Sequence, residues 1–131
     1  MSRLLPAALL ALLALPAGAG PYDGLYRPNS DWAMGWDCRR VGEAGGALEV
    51  SGARLTSVGT VCALSAPVEV RGMAATLFDA RCTVEGAVTQ ARIMLMKHPF
   101  GLYVIRDGFV ADWISCDQGA DTEGPTPAGG D

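Results

Sequence analysis

The chain has little with which to do chemistry. Its 131 residues include one histidine, His98, and one lysine, Lys97, and aromatic residues make up only 7%. No Gly-x-Ser-x-Gly elbow or His-Glu-x-x-His occurs, and no serine or spare cysteine is placed as a nucleophile. Carboxylates are scattered, and their spacing singles out no acid–base pair. An enzyme is therefore not expected, and neither is a cofactor. A basic excess is missing too: 10 Lys+Arg stand against 14 Asp+Glu, a formal net charge of −4. A nucleic-acid partner is excluded on that ground, because displacing counterions from phosphates needs a basic face. No apolar stripe at i, i+3, i+4, i+7 lasts three turns, so helices are not expected either.

Long hydrophobic runs are confined to the beginning. After Arg3, every residue from Leu4 to Leu15 is Leu or Ala except Pro6, and Pro16-Ala17-Gly18-Ala19 follows. A cationic start, a short apolar run and an Ala-x-Ala ending predict a secretory signal peptide over residues 1–19. Twelve helical residues would span about 18 Å, short of about 30 Å of hydrocarbon. No membrane span is then expected once the signal is removed. Half of the 14 leucines lie in that segment. The remaining 112 residues are about 46% hydrophobic, an ordinary globular fraction.

Cys38, Cys62, Cys82 and Cys116 all follow the signal, an even number in a small exported domain. They read as two disulfides. The gaps between them, 23, 19 and 33 residues, contain no close pair of the kind a zinc site uses. If the first and last strands are neighbours, Cys38–Cys116 clasps the closure and Cys62–Cys82 links two middle strands. The sequential pairing, Cys38–Cys62 with Cys82–Cys116, is the alternative.

The dominant period is two. Trp32, Met34, Trp36 and Cys38 alternate with small or acidic residues, as do Leu48 and Val50, and Val68 and Val70. Met73 to Cys82 and Val88 to Lys97 are also strand-length and apolar. Glycine turns at Gly24, Gly45-Gly46, Gly52, Gly72, Gly86 and Gly101 punctuate them. The fold class is all-β: a small antiparallel meander barrel or sandwich of about six to eight short strands, stapled by two disulfides. One domain is expected over residues 20–117, followed by a disordered acidic Gly/Pro tail over 118–131.

Asp107-Gly108 lies between two apolar runs and predicts a two-residue hairpin turn with positive φ at both positions. That register pairs Arg106 with Phe109, Tyr103 with Asp112 and Leu102 with Trp113. One face then carries Leu102, Val104, Phe109, Ala111 and Trp113. The other carries Tyr103, Ile105, Val110, Asp112, Ile114 and Cys116. Disulfided cysteines usually point inward, so the Cys116 face is expected in the core. The opposite face is then covered by the stretch Tyr22 to Tyr26, or exposed as a contact patch for another exported protein, with Trp113, Phe109 and Leu102 as its residues. Asp112, on the expected inner face, needs hydrogen-bond donors, for which Tyr103 or an arginine is in reach.

A second function is carried by Met94-x-Met96-x-His98. On a strand these side chains share a face, and two thioethers with an imidazole suit Cu(I). The primary reading is a non-catalytic, periplasmic or secreted binding domain, protein-binding or inhibitor-like. The other is a small-ligand or copper carrier using the barrel interior or the Met94/Met96/His98 face. In architecture such a stapled barrel resembles the small exported β-barrel inhibitors of lysozyme and of proteases, a similarity of fold and compartment that carries no motif.

Overall fold

The computed structural model describes residues 20–117. The signal peptide read at 1–19 and the disordered tail read at 118–131 lie outside the described residues. Eight strands form a closed antiparallel barrel in which each strand pairs with its sequence neighbours and the last pairs with the first. They are β1 (Gly24–Pro28), β2 (Leu48–Ser51), β3 (Arg54–Ser57), β4 (Thr60–Glu69), β5 (Ala75–Val84), β6 (Ala87–His98), β7 (Gly101–Arg106) and β8 (Phe109–Ser115). A meander needs only short turns, and closure removes the exposed sheet edges that would invite aggregation.

Positive φ occurs at seven glycines and three other residues among those described. Glu85 and Gly86 both sit at positive φ, 48° and 80°, in the tight turn between β5 and β6. At Asp107-Gly108 only the glycine does, at 73°, so the expected positive φ at Asp107 is corrected. The register expected for that hairpin is nevertheless the one observed, from Arg106↔Phe109 to Leu102↔Trp113. In β4 the register to β5 shifts between Ser65 and Val68, where Ala66 turns to φ 50°. Pro67 sits inside this bulge, where its missing N–H breaks no ladder bond. Gly101 is needed for a different reason: a Cβ there would strike the carbonyl oxygen of Trp113 on β8.

The alternation of Trp32, Met34, Trp36 and Cys38 does not make a strand. Asp31–Ala33 is one turn of 3-10 helix within a long loop from β1 to β2. The physical reason is local. Asp37 accepts the backbone N–H groups of Arg39 and Arg40 at 2.8 and 3.1 Å, and Cys38 is held at φ 57°, so the chain turns where a strand would continue. The alternation spaces aromatics along a loop instead of along a sheet.

Both disulfides pair as the closure reading expects, Cys38–Cys116 and Cys62–Cys82. Their settings differ. Cys62 and Cys82 face each other across β4 and β5, buried inside the barrel. Cys38 lies in the β1–β2 loop and Cys116 just beyond β8, both half-buried. Two disulfides are typical of an oxidising, extracellular-type environment. No helix among the described residues is long and apolar enough to cross a membrane.

The inside of the β7–β8 hairpin is the reverse of the expected one. Leu102, Val104 and Trp113 are buried with Leu55, Ile93, Leu95 and the Cys62–Cys82 pair. The Cys116 face points out. Because Cys116 lies past the end of β8, its bond does not draw that strand's outer face inward. Closure itself covers the Trp113 face, and Tyr26 of β1 packs on Trp113 with ring centroids 6.0 Å apart. The outer face stays apolar because its side chains meet in rows across strands, Leu77–Met94–Ile105–Val110 and Ala75–Met96–Tyr103–Asp112.

Candidate functional site

On the outer wall, Met94, Met96 and His98 do share one face of β6, all half-buried. His98 is committed elsewhere. The Phe100 N–H donates to its Nδ1 at 3.2 Å, which leaves the proton on Nε2 to be donated to Asp112 Oδ1 at 2.8 Å. Both ring nitrogens are thus engaged in hydrogen bonds, and a metal ion held with Met94 and Met96 would have to displace one of these partners. Asp112 also accepts from Asn29 Nδ2 at 3.0 Å, and Tyr103 stacks on His98 with centroids 4.6 Å apart. Asp112 therefore lies on the outer face, not the inner one, and its partners are His98 and Asn29. The cluster ties β1, β6 and β8 together.

The two ends of the barrel differ. At the end where β1 begins, Tyr22 is buried and works as a plug. Its hydroxyl is 2.8 Å from Thr76 Oγ1, its carbonyl accepts the Tyr26 hydroxyl at 2.5 Å, and its ring meets Phe78 edge-on. Burial, with Asp23 adding to it, pushes the Tyr26 phenol up to about 12. Asp23 in turn accepts the Gly52 N–H at 2.9 Å. The cavities around this plug, about 520 and 780 Å³, have charged walls that include Asp23, Glu69, Arg71 and Lys97.

The opposite end is open and apolar. There, beside the β3–β4 and β7–β8 turns, a cavity of about 510 Å³ is lined by Trp32, Trp36, Val58, Phe109, Trp113 and Arg106, among others. All three tryptophans of the chain are in that wall. Trp32 and Trp36 meet edge to face with centroids 5.9 Å apart. Trp32 is 71% exposed and Phe109 61%, so they form the lip, while Trp113, 6% exposed, forms the floor. The loop carrying the lip is fixed from outside. Arg40 Nε donates to Asp37 Oδ2 at 2.7 Å and its Nη1 to Glu43 Oε2 at 3.2 Å. The Arg40 side chain and the two backbone donors hold the Asp37 carboxyl down at about 2.

Of the three residues expected to form a contact face, only Phe109 is exposed. Leu102 (1% exposed) and Trp113 (6%) are interior, because the sheet closes on that side. Sequence reasoning missed Arg106, Trp32 and Trp36 as site residues. A signal for Arg106 was present: opposite Phe109, it shares the face of Leu102 and Val104. Its guanidinium reaches inward, with Nη2 3.9 Å from Cys62 Sγ. It makes no salt bridge among the described residues. No protein-family model matches the chain, and neither a curated protein nor a solved structure matches it.

Proposed function

We propose that this protein is a non-catalytic binding domain that receives a small apolar ligand in the open mouth of its barrel. One observation carries the reading: a cavity of about 510 Å³ whose wall holds all three tryptophans and whose lip is left exposed. Eight-stranded barrels are wide enough for one small ligand, and ligand sites favour apolar, aromatic walls with few polar groups. The signal-like segment of residues 1–19 and the two disulfides support a periplasmic or secreted protein. The test is a titration of tryptophan emission with 1-octanol. A saturable change is expected. No change up to the solubility limit contradicts the reading.

A second reading, contact with another exported protein, is favoured by the exposure of Trp32 and Phe109 alone, since aromatic side chains are enriched at interfaces. It would use the lip in place of the Leu102/Trp113 face. Pull-down from a periplasmic extract with a Trp32→Ser, Phe109→Ser double variant as control separates the two. That variant abolishes capture if the lip is the contact and leaves it intact if it is not.

A further inference from the structure

Among the described residues the mouth is lined by one charged group, and it is a cation. Arg106 is half-buried on the inward face of β7, and the remaining wall of the cavity is apolar apart from Ser57 and Thr60. Among the described residues no acidic side chain lines the cavity. The hydrogen-bond-like contact that the guanidinium makes among them is with a disulfide sulfur, a weak acceptor, at 3.9 Å. Among the other described arginines, Arg40 has Asp37 and Glu43 and Arg92 has Asp79, while Arg27, Arg39, Arg54, Arg71 and Arg81 also make no salt bridge; Arg106 differs from these in lining an apolar cavity. A planar guanidinium at a half-buried position in an aromatic-walled cavity, with donors that face solvent and not a carboxylate, is matched to an incoming carboxylate. The apolar wall around it is matched to a hydrocarbon body.

We propose that the ligand is a small apolar monocarboxylate, with its hydrocarbon part against Trp32, Trp36 and Phe109 and its carboxylate on Arg106. This rests on the mouth being a ligand site and adds the charge of what enters. Size sets a bound as well: an unbranched acid of about ten non-hydrogen atoms fits within a pocket of this class. At the opposite end the more enclosed cavity has Asp23 and Glu69 in its wall, and the other mixes Glu69 with Arg71 and Lys97, so neither pairs a lone cation with an aromatic wall.

The experiment compares octanoate with 1-octanol at neutral pH, with tryptophan emission as the readout on the intact protein. Octanoate is expected to bind about 10- to 100-fold tighter, the value of a hydrogen bond to a charged group. Arg106→Gln is expected to remove that preference while leaving octanol binding in place, and Arg106→Lys to keep part of it. Equal binding of the two probes to the unsubstituted protein overturns the carboxylate assignment and leaves the cavity reading standing. Binding of neither overturns both. A preference for octanoate that survives in Arg106→Gln also overturns the assignment, since the charge would then be read elsewhere. The comparison on the unsubstituted protein stands even if a variant fails to fold.

Discussion

At one end of the barrel Tyr22, Tyr26 and Thr76 satisfy one another's polar atoms. At the other Arg106 stands beside a disulfide with its donors unused and three tryptophans around it. The same sheet makes both ends, so the difference lies in what each end does with its polar groups. The hydroxyls of Tyr22, Tyr26 and Thr76 are hydrogen-bonded to the protein itself and contribute to stability. A mouth with exposed rings and a cation lacking a carboxylate contributes little to folding and keeps its interactions in reserve. On the proposed reading binding belongs to the mouth, and side-chain substitutions at the two ends should separate binding from stability.

The largest effect is expected where the mouth depends on a covalent tie. Cys38–Cys116 spans 78 residues of sequence and fixes the loop that carries Trp32 and Trp36. Replacing both cysteines by serine should cost about 4–5 kcal/mol by loop-closure entropy, against about 3 kcal/mol for Cys62–Cys82 with its separation of 20. Urea unfolding measures both, and a reversed order would contradict this account of the loop. Next, Tyr22→Ala should cost about 3–5 kcal/mol as a large buried side chain is lost. Trp32→Ala at the lip should change stability by no more than about 0.5 kcal/mol. Equal losses at the two ends would end the comparison.

Smaller effects come from titration. The Tyr26 phenol is neutral in the folded state up to about 12, above its ordinary 10.0. The stability it confers is therefore complete below pH 10 and is lost as pH rises from 10 towards 12. Tyr26→Phe should flatten that alkaline limb and cost about 1 kcal/mol at neutral pH through the bond to the Tyr22 carbonyl. Denaturant midpoints measured across this range decide it. Asp37 behaves in the opposite sense. Its carboxyl is held at about 2, below its ordinary 3.8, so its contribution is present above pH 4 and lost as pH falls towards 2. This group is fully exposed, so the effect is small. Asp37→Asn should remove a low-pH change in tryptophan emission without moving the neutral-pH denaturation midpoint appreciably.

Much of the barrel was legible in the chain because its determinants are local. Period-two patterning located most of the strands, Asp107-Gly108 set the hairpin register, and closure of the meander predicted both disulfides. Three features depended on long-range geometry. Whether Trp113 or Cys116 faces the core turns on where β8 ends, and Cys116 lies one residue beyond it. The spacing of Trp32 to Cys38 suits a strand, yet Asp37 and the bond to Cys116 bend it into a loop. His98 carries a lone pair in the sequence and has none free in the fold, because Phe100 and Asp112 take both nitrogens. Parity put Arg106 on the face of Leu102 and Val104, expected to be the outer one, so its inward position emerges only when the barrel closes.

The most direct test of the division between the two ends is nuclear magnetic resonance of the protein titrated with octanoate. The indole N–H signals of Trp32, Trp36 and Trp113 should shift together and saturate, with the backbone amides of Gly52 and Glu69 unmoved. Shifts concentrated at Gly52 and Glu69, with the three indoles still, would contradict the account.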